Sequence, residues 1–149
     1  MQRMTAGTGI THSESNETDE ELHLVQLWFV PNKRDLAPSY EKMDIAFLDT
    51  KNKLLPLATG QKVLEDVVFF NSNSTIYYGR VEQGEEIDFR TFKIRRTLLY
   101  VLDGGLLVNN VEADSNDQLR MDTQEVIAIR GTSAASFILV DVPALEANY

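Results

Sequence analysis

Between Val67 and Val142 the chain is a succession of short apolar runs rich in β-branched and aromatic residues. They recur at a spacing of roughly 8–12 residues between turn signals, which is the pattern of a β-sandwich or barrel. The runs are Val67–Phe70, Ser74–Val81 (STIYYGRV), Ile87–Ile94 (IDFRTFKI), Thr97–Leu102 (TLLYVL), Leu106–Val111, Val126–Ile129 and Ser136–Val142 (SFILVDV). Glu82-Gln83-Gly84-Glu85 and the polar stretch Ala113–Gln118 read as turns, Asp103-Gly104-Gly105 as a hairpin signal, and Pro143 closes the last run. Only Asp44–Leu48 and Ala144–Tyr149 carry weak helical signals, and no fixed-period repeat is present.

The first third of the chain is organised differently. Residues 1–12 are small, polar and glycine-containing, and residues 13–21 (SESNETDEE) form an acidic loop. Leu22–Val30 (LHLVQLWFV) is apolar on both parities and stops at Pro31, so it reads as an interior strand. Asn32–Tyr40 reads as a loop and Met43–Leu48 as a short strand or turn. Lys51–Gln61, broken by Pro56 and Gly60, reads as the connection between two parts of the chain.

Composition narrows the chemistry. A chain of 149 residues with 43% hydrophobic and 25% charged residues is globular and long enough to bury a core without crosslinks. The absence of cysteine excludes disulfides, thiol nucleophiles and cysteine-held metals. A net charge of −9 argues against a nucleic-acid partner and against docking on anionic lipid. With no secretory leader and no apolar run of about 20 residues, the expectation is a soluble, cytoplasmic protein with no membrane partner.

His12-x-Glu14 is the sharpest local feature. In extended backbone, residues two apart project to one side, so an imidazole nitrogen and a carboxylate oxygen converge. Iron, manganese, copper, nickel and zinc accept such a pair, although a catalytic site commonly has three protein ligands and an open position. The plainer reading is a surface histidine beside an acidic run. His23 lies on the parity of Val25, Leu27 and Phe29 and reads as a core or semi-buried, hydrogen-bonded histidine. Gln26, on the opposite parity, either lines a pocket or ties a loop, and Trp28 reads as packing. Gly7-Thr8-Gly9 is too short for a dinucleotide fingerprint, and Asp103-Gly104-Gly105 lacks the Lys-Ser/Thr of a phosphate loop. The acidic stretches Glu14–Glu21 and Glu112–Asp122 read as solvated loops rather than calcium sites.

Met4–Glu14 (MTAGTGITHSE), Leu22–Pro31 (LHLVQLWFVP) and Pro38-Ser39-Tyr40-Glu41 resemble the pirin family, and within it the bacterial pirin-like proteins with quercetinase activity. Leu99–Asn110 and Ile138–Pro143 fit the second half of the same proteins, so the resemblance covers nearly the whole chain. It implies an all-β cupin fold of jelly-roll type, two β-barrels in tandem. Residues 1–50 would be the closing strands of the N-terminal, metal-binding cupin with its connecting segment, and residues 51–149 the C-terminal cupin.

In that family the N-terminal cupin holds one divalent metal through three histidines and a glutamate, two of the histidines in an H-P-H motif. His12 and Glu14 match the remaining pair. The H-P-H pair has no counterpart in this sequence, which contains only one other histidine, His23. In the C-terminal cupin, Arg90, Phe92 and Arg96 stand where a metal cupin has its ligands, and a guanidinium repels a metal ion.

The resemblance therefore implies a shortened pirin-like cupin acting as a structural or interaction module, with no cofactor in this chain alone. Its alternative is a quercetinase-type dioxygenase using iron, manganese, copper or nickel when the site is completed by another polypeptide. A third reading is a small-molecule binding barrel. Open apolar strands among residues 1–50 imply a homo-oligomer, a segment folded back onto the C-terminal cupin, a separately encoded N-terminal cupin half, or a longer reading frame in which Met1 is an internal methionine.

Overall fold

A computed structural model describes residues 1–45, 49–62 and 66–144. Parts of three sequence expectations, Asp44–Leu48, Met43–Leu48 and Ala144–Tyr149, lie outside the described residues. Among the described residues the fold is all-β, and no helix is long and apolar enough to cross a membrane.

The described residues form twelve strands: β1 (Gln2–Thr5), β2 (Ser39–Lys42), β3 (Lys53–Thr59), β4 (Val68–Phe69), β5 (Thr75–Val81), β6 (Glu86–Arg90), β7 (Arg95–Asp103), β8 (Gly105–Val108), β9 (Val111–Asp114), β10 (Gln118–Asp122), β11 (Val126–Gly131) and β12 (Ala135–Pro143). A six-stranded sheet of order β10-β7-β12-β5-β3-β4 faces a four-stranded sheet of order β6-β11-β8-β9, and β1 and β2 pair as a separate ribbon. The pairings between these strands are antiparallel except β3 with β4.

The core lies between the two large sheets. On β7 burial alternates, with Thr97, Leu99 and Val101 turned inward, as the two-residue period of a strand requires. They meet Phe137 and Leu139 of β12 and, across the gap, Phe89, Leu106, Val108, Ile127 and Ile129. Phe137 pairs with Gly79 across the β5–β12 ladder. A Cβ on Gly79 would fall 2.3 Å from the Phe137 ring, so only glycine lets the ring lie flat on the strand.

At one end of the sandwich a buried ion pair joins the elements. Arg95 at the start of β7 donates from Nε to Asp141 of β12, and from Nη2 to the Asn73 carbonyl at 3.0 Å. Asp141 Oδ1 accepts from Thr91 Oγ1 at 2.9 Å, and Gln61 Nε2 reaches both Asp141 Oδ2 and Thr75 Oγ1. Buried charge is tolerated there because the carboxylate is met from several sides.

Four local expectations give way to other arrangements. Lys51–Gln61 is not only a connection: it contributes β3, and the ladder to β5 shifts register between Pro56 and Ala58, where proline offers no N–H. Asp103-Gly104-Gly105 is not a hairpin: Gly104, at φ +80°, turns the chain from β7 in one sheet to β8 in the other. The run Ile87–Ile94 stops at Arg90, and Phe92 and Ile94 are exposed. The acidic stretch Glu112–Asp122 holds parts of β9 and β10, with Ala113 turned into the core and the charges outward.

Leu22–Val30 is the largest departure. It joins no sheet, and Trp28 and Val30 are 85% and 88% exposed. Leu24 to Leu27 run beside Leu98, Tyr100, Ile138 and Val140, on the outer face of the six-stranded sheet, enclosing a groove of about 360 Å³. Phe29 meets Phe70 edge to face at 5.1 Å, in a small cluster with Ala58, Val68, Met1 and Met43. Leu24 to Leu27 and Phe29 thus lie against the later part of the chain.

Two outcomes follow from the packing. Replacing Asp141 by Ala leaves Arg95 buried and unpaired, and should lower unfolding free energy by about 3–5 kcal/mol in a urea titration. The paired Arg95→Met/Asp141→Leu variant should lose clearly less. Tyr77, packed on Phe89 at 5.2 Å, has its phenol pushed above the usual tyrosine value by burial and then by the nearby Asp141 charge. The folded state therefore holds that proton more tightly than the unfolded chain. Its contribution is complete below about pH 10 and is lost as pH rises through the raised folded value. Tyr77→Phe should flatten that alkaline fall in urea titrations run from about pH 8 to 11.

Candidate functional site

The site grows out of the β1–β2 ribbon. Gln2 pairs with Lys42 and Met4 with Tyr40, which places Gln2 and Tyr40 diagonally on one face. After Thr5 the chain turns tightly, with the Gly9 N–H donating to the Ala6 carbonyl at 2.8 Å. Gly7 sits at φ +54° with its Cα so close to the 36–38 backbone that a Cβ would fall 2.0 Å from the Leu36 carbonyl oxygen. Glycine is therefore required by both conformation and space. The turn leads into Thr11–Glu14, outside any sheet, where His12 and Glu14, two residues apart, bring their side chains together.

His12 Nε2 and Glu14 Oε1 stand 3.9 Å apart, with side chains 31% and 39% exposed. Gln26 Nε2 lies 3.0 Å from His12 Nε2. Gln2 Nε2 donates to Glu14 Oε1 at 2.8 Å, and Tyr40 Oη donates to Gln2 Oε1 at 3.1 Å. Bond lengths of about 2.0–2.2 Å to a divalent ion put tetrahedral ligand atoms about 3.4 Å apart. The pair thus fits one ion after a rotation of about half an ångström, and an imidazole–carboxylate set suits iron, manganese, copper or nickel. Among the described residues, no third His, Cys, Asp or Glu joins His12 and Glu14.

The other sequence candidates fall elsewhere. His23 is not semi-buried: it is 86% exposed and faces Glu21 at 3.1 Å, because its whole segment lies outside any sheet. Gln26 both ties the His12 loop and lines the apolar groove. Trp28 packs against no core cluster. Arg90, Phe92 and Arg96 do not converge: Arg90 and Phe92 are exposed, and Arg96 pairs with Asp122 on the outer side of β7. The inward positions of these strands belong to Phe89, Arg95 and Thr97. Gln2 and Tyr40 were not legible as site residues, since 38 positions separate them and only the β1–β2 pairing joins them.

The interior of the sandwich is filled by Phe89, Leu99, Val101 and Phe137, which argues against a ligand chamber there. An open polar concavity of about 530 Å³, bordered by Glu86, Asn109, Gln124 and Arg130, lies against the four-stranded sheet.

A profile described as the quercetinase C-terminal cupin domain matches residues 59–142, more than half the chain, and the pirin profile matches residues 1–29. The chain belongs to the pirin family. It is 29% identical over 144 residues to a quercetin 2,3-dioxygenase of Escherichia coli (strain K12), covering 96% of this chain and 61% of that protein. It is 28% identical over 141 residues to a pirin-like protein of Caulobacter vibrioides, again covering 61% of it. The chain thus spans about three-fifths of the length of these pirin relatives. The fold matches the crystal structure of bacterial pirin YhhW of Escherichia coli in complex with nickel(II), with a TM-score of 0.70 at 19% identity, over 77% of this chain and 48% of that one. A quercetin 2,3-dioxygenase structure from Acinetobacter baumannii matches with a TM-score of 0.59 at 14% identity, over 76% and 42% of the two chains. This is a pirin-like cupin related to quercetin 2,3-dioxygenases.

Proposed function

We propose that this chain acts as an interaction module of the pirin family, without a competent metal centre by itself. In this reading residues 51–149 are the C-terminal cupin, and residues 1–50 are the closing part of an N-terminal metal-binding cupin. One observation carries it: Leu22, Leu24, Trp28 and Val30 form an exposed apolar ribbon beside the His12/Glu14 pair. Among the described residues, the ribbon makes no backbone–backbone hydrogen bond from 22 to 30. Extended backbone with free N–H and C=O groups and apolar side chains is a template for another strand. The partner is a second copy of the chain or a polypeptide supplying the N-terminal cupin half.

Light scattering behind size exclusion tests the homo-oligomeric form. The wild type should run as a dimer or larger at micromolar concentration, and Trp28→Ser/Val30→Ser should run as a monomer. A wild type that stays monomeric throughout leaves only the complementary half as partner.

The second reading, favoured by the 3.9 Å convergence of His12 and Glu14, is a quercetinase-type dioxygenase acting on a flavonol once further ligands are supplied in trans. A bound divalent metal would supply Lewis acidity for flavonol and dioxygen. His12 and Glu14 would hold it, and the second carboxylate oxygen of Glu14 would be placed to accept a flavonol proton. Elemental analysis of the purified chain and of His12→Ala separates the two readings. Stoichiometric iron, manganese, copper or nickel that is lost in the variant supports the dioxygenase, with oxygen uptake on a flavonol as the next assay. Background metal in a well-folded chain supports the module.

A further inference from the structure

The two donor atoms of the His12/Glu14 pair are each already occupied by a side-chain amide. Gln26 Nε2 sits 3.0 Å from His12 Nε2, and Gln2 Nε2 donates to Glu14 Oε1 at 2.8 Å. A primary amide nitrogen only donates, so the imidazole nitrogen facing it must accept. That places the imidazole proton on Nδ1 and directs the Nε2 lone pair, the one facing Glu14, at Gln26. Gln2 is fixed in the same sense. Tyr40 Oη donates to Gln2 Oε1, so the amide nitrogen is turned toward the carboxylate, which only accepts. The β1–β2 register sets this relay, because it puts Tyr40 and Gln2 on one face of the ribbon.

We propose that Gln26 and Gln2 are amide caps that hold the His12 and Glu14 donor atoms in a cation-free arrangement, so that an entering divalent cation must first displace the Gln26 amide from His12 Nε2. The proposal rests on the second reading above, in which His12 and Glu14 hold a divalent cation. Gln26 and Gln2 are positioning residues in it, and Tyr40 acts through Gln2. The caps keep the histidine in the tautomer that a cation needs while making the cation compete for the lone pair. They also keep the two like-sided acceptor atoms satisfied when no ion lies between them.

The test has two readouts on the full chain. With ¹⁵N-labelled histidine in metal-free buffer, above the pH at which histidine takes up a proton, His12 Nε2 should show an unprotonated, pyridine-like shift and Nδ1 a pyrrole-like shift. A pyrrole-like Nε2 in the wild type overturns the proposal and needs no variant. Second, Ni²⁺ is titrated calorimetrically into the wild type, Gln26→Leu, Tyr40→Phe and His12→Ala. Removing one net hydrogen bond of competition should tighten Ni²⁺ binding in Gln26→Leu by about two- to tenfold. Tyr40→Phe should shift binding the same way but less, and His12→Ala should lose it.

Ni²⁺ binding that is unchanged, weaker or absent in Gln26→Leu sinks the cap. Gln26→Ala repeats the measurement if the leucine variant does not fold. If His12→Ala binds Ni²⁺ like the wild type, the cation-pair reading itself fails. The histidine shifts then still report the Gln26 contact separately.

Discussion

Strands β7 and β12 are apolar on both faces, and most of the architecture follows from covering both. Inward, Leu99, Val101, Phe137 and Leu139 close against the four-stranded sheet. Outward, Leu98, Tyr100, Ile138 and Val140 would be left against water if nothing lay over them. The segment Leu24–Leu27 lies there, and Phe29 docks on Phe70 at the same sheet's far edge. A sheet that is hydrophobic on both sides sits in the middle of three layers, and residues 1–45 supply part of the third.

That third layer is only partly built within the chain. Leu27 and Phe29 are half-buried against the sandwich, while Trp28 and Val30 face out, with no strand beside them among the described residues. The same segment carries Gln26, which reaches the His12 loop. Covering the outer face of the C-terminal cupin and shaping the surroundings of His12 are therefore one structural event.

Strand identity between Val67 and Val142 was legible because inward and outward residues alternate with the period of a strand, and glycine or paired polar residues mark the turns. Reading failed where that alternation carries no information. Leu22–Val30 is apolar on both parities, which fits an interior strand and a ribbon between two apolar surfaces equally well. Pro56 hid β3 because a bulge absorbs the missing N–H, and the charges of Glu112–Asp122 hid β9 and β10, whose outer side chains face water. Burial of Arg95 could not be read from sequence, since it depends on Asp141 lying 46 residues away. The His12-x-Glu14 convergence was legible, because it depends only on extended geometry over three residues. Gln2 and Tyr40 were not, because a ladder between distant segments brings them there.

The sequence by itself determined the all-β class, the sandwich strands of the second half other than β9 and β10, the family, and two donors on one side of a short segment. These rest on local periodicity and on motifs whose spacing is short. Tertiary structure decided the rest: that Asp103-Gly104-Gly105 crosses between sheets, that Leu22–Val30 lies outside any sheet, that His23 faces solvent, and that two amides occupy the donor atoms of His12 and Glu14. Each of these depends on which surfaces meet across long sequence separations, and local pattern fixes what a segment can bury but not what it is buried against.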